Sequence, residues 1–205
     1  MKGLLVTIFT LCSFFSNAQQ RVVAECTISY DVITDTLNTQ NNFLESARKI
    51  VYIKGNDART DLMSSSFSQT VLYDKASGNA VVLREIGNNK LITKLTKSQW
   101  IEKNKKFDSA VVTFFSDTRI ILGYECKKAT ITLKNGSVTQ VFYTTAFVPS
   151  VRDYEYNLKD IPGLVLEYES EEGNAKVKYV ATKIDLSPVP SSKFNVPTSG
   201  YRILN

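Results

Sequence analysis

The sequence predicts a mainly β protein: a curved antiparallel sheet, or partly open β-barrel, built as a meander with one short helix. Three observations predict it. Apolar residues recur with period two along most of the chain. Clusters of Gly, Asn and Asp punctuate these runs at close spacing. No strand–helix–strand rhythm is present. About ten short strands are too many to stay flat, so the sheet is expected to curl.

The chain opens MKGLLVTIFTLCSFFSNAQQ. Lys2 supplies a positive start, Leu4 through Phe15 an apolar stretch, and Ser16-Asn17-Ala18 a small-residue cleavage site. This reads as a secretory signal peptide over residues 1–18, cut between Ala18 and Gln19, with residues 19–205 as a single β-rich domain. Thr10-Leu11 before Cys12 are not the small residues that lipidation at that position needs. No later run approaches the ~18 apolar residues of a membrane span, so no transmembrane segment is expected after processing.

The first strand is expected over residues 23–32, where Ala24, Cys26, Ile28, Tyr30 and Val32 form one apolar face. Residues 35–42 are polar and aperiodic, a long loop or a frayed helix start. Strands then follow at 49–54, 58–64, 67–73, 79–86 and 90–95, with turn residues such as Gly55-Asn56-Asp57 and Gly87-Asn88-Asn89 between them. TKSQWIEKNKK is the one credible helix: Thr96 can cap its start, and its lysines fall where the helix dipole favours cations. Further strands are expected at 109–115, 119–133, 137–146, 164–170 and 176–186, with Asn135-Gly136 as a hairpin turn. Within ILGYECKKATITL the apolar parity slips, which a β-bulge at Lys127-Lys128 would reconcile. The proline-punctuated tail reads as an edge segment or irregular cover.

Composition excludes much chemistry. The chain has no His, which removes Ser-His-Asp and Cys-His catalysis and His-based zinc sites. Its formal net charge of +5 is spread over short runs, which argues against nucleic acid as a partner. After processing, two cysteines remain. In an exported protein such a pair favours a disulfide, Cys26–Cys126, both side chains expected to point inward; two separate buried thiols are the alternative.

Two blocks carry a family resemblance. Gly123-Tyr124, Cys126 and Lys128-Ala129 form the first; Pro162-Gly163-Leu164 and Leu166-Glu167 form the second. Their order and spacing resemble the GLPGLI family of exported Gram-negative proteins. Asp160-Ile161 and Val165 depart from that family's pattern. The resemblance implies a periplasmic, secreted or outer-membrane-associated protein. The meander and the closing FNVPTSGY also look like the half-barrel of periplasmic lipoprotein-sorting carriers, a likeness at the level of fold.

Pro162-Gly163 suits the centre of a type II turn, with Gly163 supplying positive φ and the turn aiming the strand after it. Glu167 and Glu169 share one strand face, and a solvated outer face accounts for them better than a cation site. Tyr143, Phe147, Tyr154 and Tyr156 are the candidate ligand contacts; buried, they would simply cover one mouth of the sheet. No cofactor is implied. The leading expectation is a non-catalytic envelope protein whose curved sheet holds a lipid, acyl chain or hydrophobic peptide. The alternative is an interaction module with a filled core that contacts another envelope protein. An enzyme of unrecognised type ranks third.

Overall fold

The computed structural model describes residues 21–34, 46–172 and 175–204. The expected signal segment with its Ala18–Gln19 cleavage, and the loop at 35–42, lie outside the described residues.

The strands are β1 (Arg21–Val23), β2 (Glu25–Thr34), β3 (Arg48–Lys54), β4 (Asp57–Met63), β5 (Phe67–Asp74), β6 (Asn79–Ile86) and β7 (Asn89–Leu95). The helix α1 (Lys97–Asn104) follows, and then β8 (Val111–Ile121), β9 (Tyr124–Thr132), β10 (Val138–Thr144) and β11 (Phe147–Pro149). The last strands are β12 (Leu164–Glu172), β13 (Ala175–Asp185) and β14 (Arg202–Ile203). Twelve of them form one sheet in the order β14-β7-β6-β5-β4-β3-β2-β13-β12-β10-β9-β8. β1 and β11 pair separately and in parallel. Two meanders are thus joined side by side, with Ile28 opposite Ile184 and Tyr30 opposite Ala181 at the seam. The sheet does not close into a barrel. One edge is β8; at the other, β14 lies parallel to β7 with Arg202 opposite Leu91 and Ile203 opposite Ile92.

Period two divides the sheet into an inner and an outer face. On the inner face Cys26, Ile28, Tyr30, Val51, Ile53, Val141, Leu166 and Val177 are buried in one continuous core. Val151, Leu158 and Ile161, from the segment before β12, close over it. The sheet curls enough for Lys49 on β3 to reach Tyr168 on β12, across two intervening strands. On the outer face Leu72, Leu83 and Ile92 form a small second cluster, covered by Phe194 and Tyr201 of the tail. The tail therefore acts both as edge and as cover.

α1 begins as expected. Thr96 and Gln99 form a reciprocal capping box, the Gln99 side chain accepting from the Thr96 N–H at 2.9 Å. Trp100 anchors the helix by packing on Tyr73, with ring centroids 5.8 Å apart.

Several expectations are corrected. The first strand breaks at Ala24, which is exposed, so that β1 leaves for the small sheet. The run expected at 119–133 is a hairpin: Leu122 and Gly123 both have positive φ and turn β8 into β9. The bulge lies opposite Lys128, but its extra residues belong to β8, where the register shifts between Phe114 and Thr118. Gly163 is not left-handed, so no type II turn forms there. It is needed for a different reason: a Cβ would stand 2.1 Å from the Thr144 carbonyl oxygen.

The Cys26–Cys126 disulfide is also corrected. Both cysteines are buried free thiols. Cys126 shares a face with Lys128, which lies opposite Phe142, which lies opposite Glu167. Tyr168, the next residue, faces the other way and meets Tyr30, on the same face of β2 as Cys26. The two thiols therefore lie on opposite faces of the sheet, and β13, β12 and β10 separate their strands.

Candidate functional site: a polar-aromatic cleft on the inner face

Cross-strand rows on the inner face change character along the strands. One row runs Ile53, Ala58, Tyr73, Ala80; the next runs Val51, Thr60, Val71, Val82; the third runs Lys49, Leu62, Gln69, Arg84. The first row is closed over by core. Thr60, Val71 and Val82 of the second row and the whole third row line a cleft of about 250 Å³, flanked by Trp100, Lys103 and Asn104 of α1 and by residues 154–157. Tyr168, Ser170 and Tyr179 complete the wall. A groove of about 600 Å³ beside the β9–β10 turn is larger, but it is built from turn and post-helix residues such as Lys106, Phe107, Asn135 and Val138. It holds no buried ion pair among the described residues.

The floor of the cleft is unusual. Lys49 is 3% exposed, yet carries an ammonium group. Three tyrosine rings surround it, with centroids 5.2 Å (Tyr30), 4.9 Å (Tyr168) and 5.1 Å (Tyr179) from Nζ. Nζ donates to the Tyr168 hydroxyl at 2.5 Å and forms an ion pair with Glu155. Tyr168 and Tyr179 stack with centroids 4.6 Å apart, and the Tyr30 hydroxyl donates to the Val165 carbonyl at 2.8 Å. Burial pushes the Tyr30 and Tyr154 hydroxyls well above the ordinary phenol range, so both stay neutral. Around the cation stand a carboxylate, a phenol hydroxyl and ring faces.

The loop that carries Glu155 is pinned twice. Besides the Lys49 pair, Tyr156 donates to Asp108 at 2.5 Å, and Lys159 lies 3.7 Å from the Tyr156 ring centroid. That bond, first among several contacts, holds the Asp108 carboxyl below its ordinary range. Asp108 follows α1, so the loop and the helix flank are tied to one another. Deeper in the wall, Trp100 Nε1 and Thr60 Oγ1 are buried without a hydrogen-bond partner.

Of the four aromatic residues singled out in the sequence, Tyr154 and Tyr156 line the cleft. Tyr143 and Phe147 do not: both are buried in the core, Tyr143 against Phe114 and Phe147 against Tyr124. Sequence reasoning missed Lys49, Arg84, Trp100 and Tyr168. Lys49 had a signal, because in KIVYIK it occupies the same parity as Val51 and Ile53 and must point inward.

The acidic pair on β12 lies on the outer face. Glu169 is exposed, but Glu167 is buried, contrary to a solvated patch. Lys178 Nζ stands 2.8 Å from its carboxylate, and Arg119 pairs with it while stacking 3.5 Å over the Phe142 ring centroid. Burial would raise the Glu167 pKa; the two cations outweigh that and hold it below its ordinary value. No group of three metal-ligating side chains is present among the described residues.

A family model described as N-glycanase peptide, N-terminal domain, matches residues 29–199. The chain belongs to this family. Two crystal forms of PNGF-II are similar to it, with TM-scores of 0.50 and 0.52 at 18% and 16% identity. They cover 87% and 89% of this chain but only 30% and 32% of PNGF-II, so the chain spans about a third of that protein. At such identity the likeness shows the fold alone. A structure of an uncharacterized conserved protein from Thermus thermophilus aligns over 91% of both chains at 8% identity and a TM-score of 0.47. No curated protein matches. Nothing in these comparisons shows the GLPGLI family, which the Gly123 and Pro162 blocks resemble.

Proposed function

We propose that this chain is a non-catalytic binding domain, exported from the cell, whose inner cleft takes a glycan or the glycan of a glycosylated polypeptide. One observation carries the reading: ring surfaces and hydrogen-bonding groups share the same walls. Tyr154, Tyr156, Tyr168 and Trp100 offer apolar area, while Gln69, Arg84, Asn104, Asn157 and Ser170 offer donors and acceptors. A sugar ring has apolar C–H faces and hydroxyl edges, and so uses both. An acyl chain would bury the polar groups without partners, at a cost of about 1–3 kcal/mol for each one left unpaired. The word N-glycanase in the family's description supports a glycan, and the signal-like first 18 residues support export.

The test is titration calorimetry with N-glycans and glycopeptides, on the wild type and on Asn157→Ala. Asn157 is half-buried at the cleft, so its truncation should leave folding intact and weaken binding about tenfold, the loss of one or two hydrogen bonds. No binding to any glycan would remove the reading, and glycan release during incubation would remove its non-catalytic part.

A second reading, an interaction module, has its own support. β8 is an edge strand whose Val111, Phe114, Phe115 and Ile120 are exposed, a surface suited to a protein partner.

A further inference from the structure

We infer that the cleft prefers an anionic saccharide, one carrying a carboxylate or sulfate group; this rests on the glycan reading above. The charges that line the cleft are Lys49, Arg84 and Lys103 against Glu155 alone. Glu155 is already committed to Lys49 at the floor. The other two cations remain for something else. Arg84 uses only Nε, which donates to Gln69 Oε1 at 2.8 Å, and its two terminal nitrogens have no protein acceptor among the described residues. Lys103 has no ion-pair partner there.

The placement of these two follows from the fold. Arg84 is on the inner face of β6, in the row that ends the cleft, and Lys103 is on the α1 flank. A planar guanidinium with its fork unused suits two oxygens of a carboxylate or sulfate, and an ammonium suits the same group as a point charge. Gln69, by accepting from Nε, fixes the plane of the guanidinium. A cleft whose lining carries an excess of positive charge also concentrates field lines from the low-dielectric walls, raising the local concentration of anionic ligand. The tyrosines and the Asn157 amide then remain for the sugar ring itself.

The experiment compares chitotetraose, tetragalacturonate and a sulfated heparin tetrasaccharide by calorimetry, on the full mature chain. An acidic tetrasaccharide should bind about tenfold tighter than chitotetraose, a gap that narrows as salt rises from low to several hundred millimolar. The two acidic probes distinguish carboxylate from sulfate as the source of the charge. The double variant Arg84→Gln/Lys103→Gln should erase the preference, the acidic probes losing about tenfold more affinity than chitotetraose. Equal affinity for neutral and acidic sugars in the wild type would overturn the inference and leave the glycan reading standing. So would a preference that persists in the double variant. Binding of none of the three overturns the inference, while the glycan reading is decided separately by the N-glycan and glycopeptide titration.

Discussion

Gly163 passes so close to Thr144 that a Cβ at position 163 would stand 2.1 Å from the Thr144 carbonyl oxygen and 3.1 Å from the Tyr143 ring. The obstacle is backbone, which cannot rotate aside. Gly163→Ala should therefore destabilise the protein by about 1–3 kcal/mol, the usual cost of overpacking. Gly123→Ala is the control: Gly123 has open space around it and a φ of +81°, so its cost of about 1 kcal/mol comes from the backbone alone. Urea midpoints for the two variants check this. A Gly163→Ala variant as stable as the parent would show that β10 and β12 are not held this close.

The meander was legible because period two and turn residues act locally. Residues 79–86 and the Thr96 cap needed nothing beyond their neighbours. What was not legible depends on which strands meet. Gly163 looked like a turn residue because sequence cannot show that β10 passes behind it. Cys26 and Cys126 both sit at apolar parities, but only the sheet order and register assign those parities to different faces. The cleft was half visible for the same reason: Tyr154 and Tyr156 stood out, while Lys49 drew its meaning from three tyrosines on other strands.

Leu122 adopts φ +52° in the two-residue turn before Gly123, a conformation that Asn tolerates better than a branched apolar residue. The Leu122 side chain is 42% exposed, so little burial is lost on replacement. Leu122→Asn should raise stability by up to about 1 kcal/mol. A lower denaturation midpoint for this variant would mean that the side chain contributes more packing than its exposure suggests.

The thiols predict an alkaline limb. Burial pushes Cys26 up to about 12 and Cys126 to about 11. The folded state therefore keeps both protonated at a pH where the unfolded chain ionises them, near about 8.5. Their contribution is fully present below that pH and is lost as pH rises through about 11 to 12. Stability measured across the alkaline range should fall, and fall less steeply in a Cys26→Ala/Cys126→Ala variant. At mildly alkaline pH, the unreduced native protein should resist alkylation, and both thiols should react once it is denatured; failure of either to react would reveal a disulfide.

The Lys49–Glu155 pair should be worth more as a pair than either member alone. Lys49→Met leaves Glu155, only 14% exposed, without its cation, and should cost about 3–5 kcal/mol. The double variant Lys49→Met/Glu155→Gln should recover much of that, since neither change then strands a charge. Additive losses in the cycle would show that the two residues act independently.

The two borders of the large sheet differ in a way that limits self-assembly. On one side the short β14 already occupies the outer amides and carbonyls of β7 at Leu91 and Ile92. On the other, β8 offers an eleven-residue border with no strand beyond it among the described residues. Growth of a fibre by strand addition needs two long receptive borders on every subunit, one to accept and one to donate. With one long border among its described residues, the sheet can pair once through it, β8 against β8, and that pairing covers the border that a third copy would need.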